Sequence, residues 1–176
     1  MKPSIVIIGA GGHGKVVYDA ILTQNKYEVL GFVDNKLAIG TLVIDKVAVI
    51  CSQENVSTLT NKVDCFIVAI GDNEARARAF ISLIQFLKPA TIIHQNAVIG
   101  SEVSIGVGTV VLANAIINAM CKIGENTIVN SGVIIDHEAN IGNHVYLKLA
   151  TIVGNNSIVN DYYTSEIGQK ISPFSR

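Results

Sequence analysis

The sequence is poor in charge and shows no imbalance of sign. Only 15% of its 176 residues are charged, thirteen Lys and Arg against fourteen Asp and Glu. No basic patch stands out, which argues against nucleic acid or an anionic membrane as a partner. Cysteine is scarce: Cys51, Cys65 and Cys121 lie far apart, with no metal-site or disulfide spacing. An odd, scattered set fits a reducing compartment. No run of about 18 apolar residues occurs, so no transmembrane helix is expected. The opening MKPSIVIIGAGG lacks the basic segment and cleavage site of a signal peptide. The expectation is therefore a cytoplasmic protein. Aliphatic residues are what the chain has in plenty: 49% of it is hydrophobic and the mean hydropathy is +0.45. Either much of the chain is interior, or another subunit covers some of its surface.

Residues 1–89 alternate strand and helix signals. SIVIIGA is a continuous apolar run ending in glycine, as in a strand buried on both faces. GKVVYDAILTQ reads as a helix, YEVLGFVD and DCFIVAIGD as further strands. NEARARAFISLIQFL carries a helical stripe of Ala77, Phe80, Ile81, Ile84 and Leu87, stopping before Lys88-Pro89. These elements make a small parallel α/β domain.

Residues 90–160 keep a different period. Stepping by six from Ile93 to Val159 meets only Ile, Val or Leu. Two residues earlier in each six, from Thr91 to Ser157, the residue is small or β-branched. Glycine follows the aliphatic residue at Gly100, Gly106, Gly124, Gly142 and Gly154. Neither a helix nor an open strand has this period; a β-solenoid does. The aliphatic side chains are expected in the shaft, and the glycines at corners that need positive φ. After Val159 the beat stops: Ser165 breaks the aliphatic series, and residues 161–176 read as an irregular tail.

Two clusters carry chemistry. Gly9-x-Gly11-x-x-Gly14 falls between a strand and a helix, and Asp34 ends the next strand. By motif alone this predicts a nicotinamide or flavin cofactor, because glycines let the backbone approach a phosphate at a helix N-terminus. The plainer alternative is a tight strand-to-helix turn with no ligand. The second mononucleotide half of a dinucleotide domain is missing. In the repeats, Asp136-His137-Glu138 follows Ile135, which keeps its place in the beat, so all three belong on the outside of a coil. The bland reading is polar solenoid surface. The sharper one is an imidazole, with a reference pKa of about 6.5, oriented by a flanking carboxylate and able to accept a proton.

The segments GAGGHGK, GFVDN, AIGDNEAR, IIHQNAVIG and NSGVIIDHEANIG run in order over nearly the whole chain. Together they resemble the sugar O-acyltransferase family, which includes sialic acid O-acetyltransferases and UDP-4-amino-sugar N-acetyltransferases. The resemblance implies a Rossmann-like domain followed by a left-handed parallel β-helix of hexapeptide repeats. It implies acyl transfer from acetyl-CoA to an amine or hydroxyl of a nucleotide-linked sugar in surface glycan synthesis, by a homotrimer that needs no metal. His137 would be the general base and Glu138 its partner, with Asp136 the second choice for that role. The sugar nucleotide would lie against Gly11, Gly12, His13, Gly14, Asp34, Asn35, Gly71, Asp72, Asn73 and Arg76. Tyr146 stands where many relatives have a second histidine against acetyl-CoA, and Lys148 is a candidate for a CoA phosphate. His94 is read as structural and His144 as a solvated turn residue. Relatives usually continue for two or more coils, which implies weaker CoA binding here. The runner-up is a non-catalytic sugar-nucleotide-binding or assembly protein; a nicotinamide oxidoreductase comes third.

Overall fold

The computed structural model describes residues 1–175 and divides the chain into two compact units, Met1–Ala90 and Thr91–Arg176. Strand β1 (Ser4–Ile8) is central in the first unit, and its Ile5, Val6, Ile7 and Ile8 are wholly buried. That is the pattern of a parallel strand covered on both faces. Strands β2 (Glu28–Val33) and β5 (Cys65–Val68) pair with it in parallel. Strands β4 (Val47–Cys51) and β6 (Lys88–Pro89) extend the sheet, and β3 (Leu42–Ile44) runs antiparallel at one edge, giving the order β3-β4-β2-β1-β5-β6. The β3–β4 hairpin, which turns at Asp45 (φ 50), escaped the sequence reading.

Helix α1 (Gly12–Gln24) follows the glycine loop and stops at Asn25 in the left-handed conformation. Helix α2 (Asn73–Leu83) buries Ala77, Phe80 and Leu83, and Leu87 beyond it is buried too; Ile81 and Ile84 are exposed. The expected stripe is therefore rotated. Two stripes satisfy the helical period, and the chosen one carries the fully buried Arg76. Its guanidinium donates to the carbonyls of Ile70 and Gly71 and draws that side inward.

The second unit is a three-sided parallel β-helix. Its first face stacks Ile92–Ile93, Val110–Val111, Ile128–Val129 and Tyr146–Leu147. The second stacks Val98–Ile99, Ile116–Ile117, Ile134–Ile135, Ile152–Val153 and Lys170–Ile171. The third stacks Ser104–Ile105, Lys122–Ile123, Asn140–Ile141 and Ile158–Val159. Inward residues from Val111 to Val159 form one buried cluster. Each contributes about 1.5–3 kcal/mol against chain entropy. The first-coil residues Ile93, Ile99 and Ile105 are less buried, Ile99 being 37% exposed, because their strands are the edges of the three faces.

Polar groups close on the neighbouring coil. Thr109 Oγ1 donates to the Gly124 carbonyl at 2.7 Å and accepts from Thr127 N–H at 3.0 Å. Thr127 repeats this with Gly142 and Val145. The small buried residue of each six is thus a hydroxyl or methyl that fits, and where possible bonds, the corner.

The glycine expectation is corrected. Positive φ recurs at every sixth residue from Glu102 to Phe174, and only Gly108, Gly132 and Gly168 of these are glycine. Gly100, Gly106, Gly124, Gly142 and Gly154 sit elsewhere in the six. They are glycine because the next coil is too close: a Cβ on Gly124 would lie 2.4 Å from the Gly142 carbonyl oxygen.

The irregular tail is corrected as well. Thr164 bridges Tyr146, Ile171 pairs with Val153, and Ile158 N–H reaches Ser175. Ser165 takes the inward place of an aliphatic residue, wholly buried, with its Oγ accepting from Lys148 N–H at 2.8 Å and bonded to the Thr151 hydroxyl at 2.7 Å. A satisfied hydroxyl continues the shaft where hydrophobicity alone reads a break, so residues 161–175 form a further turn of the helix.

Gly124→Ala and Gly132→Ala separate the two roles of glycine. Gly132 has φ 70 with open space beyond its Cα, and Ala150 already holds φ 57 at the equivalent corner. Its replacement should cost about 1–2 kcal/mol. Gly124→Ala should cost about 3 kcal/mol by overpacking. Thermal unfolding should give that order; the reverse order would refute the close-approach account.

Candidate active site

The glycine loop opens a cleft of about 620 Å³ in the first unit. Of the ten residues expected there, Gly11, Gly12, His13, Asp34, Asn35, Gly71 and Asp72 line it. The glycines divide by role. Gly9 has φ 108, and a Cβ on Gly14 would lie 2.2 Å from the Gly9 carbonyl oxygen. At Gly11 and Gly12 a Cβ would meet nothing within 4 Å, and neither has positive φ. Neither packing nor torsion calls for glycine there. Gly11 and Gly12 present open backbone to the cleft. Helix α1 has no side-chain cap and no acid in its first turn, whereas α2 is capped by Asp72, which accepts from Ala75 N–H at 2.8 Å.

Gly14, Asn73 and Arg76 do not line the cleft. Gly14 is packed under the loop. Arg76 is wholly buried and bonds Asn73 Oδ1 at 2.6 Å, so this pair braces the Gly71 loop from behind. The sequence reading missed Lys36, Gln53 and Arg78, which do line it. Lys36 lies next to the GFVDN motif, which is the one signal that could have found it.

Electrostatics shape the cleft. Burial, then the Arg76 guanidinium, push the His13 imidazole down to about 4. It is neutral at physiological pH. Burial alone would raise the Asp34 carboxyl, but N–H bonds from Ala10, Lys36 and Leu37, with the Lys36 charge, hold it below the usual carboxylate range. Asn35 Oδ1 accepts from Gln53 N–H at 2.8 Å. Asp34 and Asn35 thus pin the loops that form the wall.

In the second unit His137 and Glu138 lie on the corner between the second and third faces, with side chains 50% and 46% exposed. His137 Nδ1 and Glu138 Oε2 are 2.9 Å apart. A carboxylate can only accept, so this bond places the ring proton on Nδ1 and leaves the Nε2 lone pair free. Asp136 does not touch the ring: its Oδ1 accepts from the His137 backbone N–H at 2.8 Å. That bond, then one from Asn118, hold its carboxyl below the usual range. Of the two acids, it is Glu138 that is bonded to the ring.

Tyr146 and Lys148 belong to other surroundings. The Tyr146 hydroxyl accepts from Asn130 Nδ2 at 3.1 Å, and Asn130 was not singled out in the sequence. Lys148 Nζ meets Glu166 at 3.3 Å, one coil on, so its charge is already paired. His144 is no solvated turn residue: it is 6% exposed, bonded to Asn126 and packed on Tyr162 at 4.9 Å between ring centres. His94 caps its own turn, its Nδ1 accepting from Asn96 N–H. A groove of about 620 Å³ on the third face, lined by Asn143 and Asp161, offers no reacting group. Its Asn143 and Asp161 oxygens accept from Glu125 and Asn143 N–H and stitch coils together. Among the described residues no cluster of His, Cys, Asp and Glu is arranged to hold a metal ion, and no helix is long and apolar enough to cross a membrane.

Comparison with known proteins gives the context. Residues 4–83 match the PglD N-terminal domain family. No curated protein sequence matches the chain. Among solved structures, a histidine-to-asparagine mutant of perosamine N-acetyltransferase from Caulobacter crescentus, in complex with CoA and GDP-perosamine, superposes with a TM-score of 0.91. It shares 28% identity over 97% of this chain and 80% of that one. The acetyltransferase domain of PglB from Neisseria gonorrhoeae FA1090, in complex with acetyl coenzyme A, superposes at 0.76 with 25% identity, covering 98% and 86%. PerB from Caulobacter crescentus, with CoA and GDP-perosamine, gives 0.74 and 28%, covering 97% and 83%. Each pairs with both units of this chain, as the Rossmann-like domain and left-handed β-helix expected from the motifs require. Residues 4–83 thus carry a PglD-type N-terminal domain, and nearly the whole chain is similar in fold to solved sugar N-acetyltransferases.

Proposed function

We propose that this protein transfers the acetyl group of acetyl-CoA to an amine of a nucleotide-linked sugar, with His137 as general base. The observation that carries this is the 2.9 Å bond from His137 Nδ1 to Glu138 on a half-exposed corner. It leaves Nε2 aimed at no protein acceptor role of its own and available to a substrate proton. The structural relatives that bind CoA and GDP-perosamine support the choice of donor and acceptor class. They favour an amine over a hydroxyl, and a nucleotide-sugar over a nicotinamide.

The chain's own residues divide the work. Open backbone at Gly11 and Gly12 and the uncapped start of α1 receive the diphosphate, and Lys36 and Arg78 add positive charge to the same cleft. Neutral His13 offers a hydrogen bond without adding charge. His137 Nε2 accepts the proton lost by the sugar amine as its nitrogen attacks the thioester carbonyl. Glu138 stabilises the imidazolium that results. The imidazolium then returns a proton to the departing thiolate as the carbon–sulfur bond breaks, which leaves the base neutral for the next turnover. Tyr146, held by Asn130, and Lys148, whose exposed pair with Glu166 is weak, are assigned to the CoA side.

The working form is a homotrimer, with the protein in the cytoplasm. What supports assembly is the second face. Its outward column includes Val98, Ile134 and Ile152, which are 57%, 36% and 39% exposed. This flat apolar stripe borders the corner of His137, so a second copy seated on it would wall the reacting groups from water.

With acetyl-CoA and a UDP- or GDP-linked amino-sugar, the native protein should form the N-acetyl product. His137→Ala should lower kcat by about 10²–10⁴-fold and still elute with the mass of a trimer. Binding of the sugar nucleotide with no turnover by the native protein would instead establish the non-catalytic reading.

His13 gives a pH signature. Its folded pKa of about 4 lies below the ordinary 6.5. Between those values the unfolded chain binds the proton and the folded one does not, so stability falls as pH drops from 6.5 toward 4. The loss attributable to this residue is on the order of 3 kcal/mol at 1.36 kcal/mol per unit. Chemical denaturation across that range should show His13→Gln losing less stability on acidification than the native protein.

A further inference from the structure

The backbone around His137 is anchored to the coils on both sides. Asp136 N–H donates to the Val153 carbonyl and Glu138 N–H to that of Ala119; the His137 carbonyl accepts from Asn156 N–H. The Asp136 carbonyl accepts from Cys121 Sγ at 3.0 Å. The His137 N–H is held by Asp136 Oδ1 at 2.8 Å. That same oxygen accepts from Asn118 Nδ2 at 3.0 Å, from the coil eighteen residues earlier.

Asn118 breaks the repeat in an informative place. The column that follows the inward aliphatic on this corner reads Gly100, Asn118, Asp136, Gly154, Ser172. Close approach of the next coil requires glycine at Gly100 and Gly154. A Cβ on Gly100 would come 2.7 Å from Ala119 N, and one on Gly154 would come 2.5 Å from Pro173 N. Of the places that carry side chains, Asn118 and Asp136 are bonded to each other, at the coil of His137 and the coil before it. A repeat departs from its own rule where function competes with packing.

We propose that Asn118 is a positioning residue for His137, acting through Asp136; this rests on the acetyl-transfer reading above. The Asn118 amide holds the Asp136 carboxylate against the His137 N–H. That fixes the backbone from which the imidazole projects and keeps Asp136 from competing with Glu138 for the ring. Asn118 touches neither the imidazole nor a substrate.

Asn118→Gly restores the residue the repeat itself uses at this place, so the coil has a precedent for folding without the amide. The expected result is a kcat lowered about 10- to 100-fold, the scale of a misplaced catalytic group. KM for both substrates should stay within about twofold, and the unfolding temperature should stay near that of the native protein. Asp136→Gly should lower kcat similarly, and the double variant should be no worse than the worse single one. Additive losses, or an unchanged kcat in Asn118→Gly, would overturn the proposal. If the native protein proves inactive, the acetyl-transfer reading fails separately, and nitrogen NMR of the His137 ring, which reads its tautomer, still decides the positioning. Asn118→Gly should replace the single Nδ1–H tautomer by a mixture, and the double variant should show no more mixing than Asp136→Gly. A ring tautomer unchanged by Asn118→Gly refutes it.

Discussion

Everything in the C-terminal unit depends on one contact: a residue against its counterpart eighteen positions away. A flat coil of short strands has no helix ladder and no wide sheet in which to satisfy its backbone. Its N–H and C=O groups find partners mostly on the coils on either side, and its aliphatic residues are dry only when another coil stacks on them. The glycines at Gly106, Gly124 and Gly142 exist so that the coils can come that close. Threonine ladders such as Thr109–Thr127 use the same closeness to complete the corners.

That rigidity is what turns an exposed histidine into a candidate base. An imidazole on an ordinary loop would spread over several rotamers and donate or accept with either nitrogen. Here the backbone of residues 136–138 is tied to both neighbouring coils, and Glu138 selects the tautomer. The left-handed conformation of Glu138 (φ 60) is not strain stored for catalysis; the same conformation recurs at every sixth residue along the shaft. The fold supplies the geometry, and the choice of side chains at one corner supplies the chemistry.

Much of this was legible in the sequence. The six-residue beat marks the prism because inward positions must be aliphatic, and the continuous run at Ile5–Ile8 marks a doubly covered strand. His137 and Glu138 stood out because two acids flank one base on a surface that is otherwise bland. What stayed hidden depends on distances that no spacing rule contains. The glycines answer to a clash with the next coil, not to torsion. Ser165 continues the shaft because a hydroxyl can be satisfied inside it, which a hydrophobicity pattern scores as an end. Arg76 reads like a ligand-binding cation but is buried behind the loop it braces, while Lys36 and Arg78 carry no motif of their own.

The most direct test of the central claim is a crystal structure with CoA and a nucleotide-linked amino-sugar bound together. The account predicts the sugar amine nitrogen about 3 Å from His137 Nε2, with Nδ1 still on Glu138. An amine that approaches Nδ1, or a sugar that binds away from this corner altogether, would contradict it.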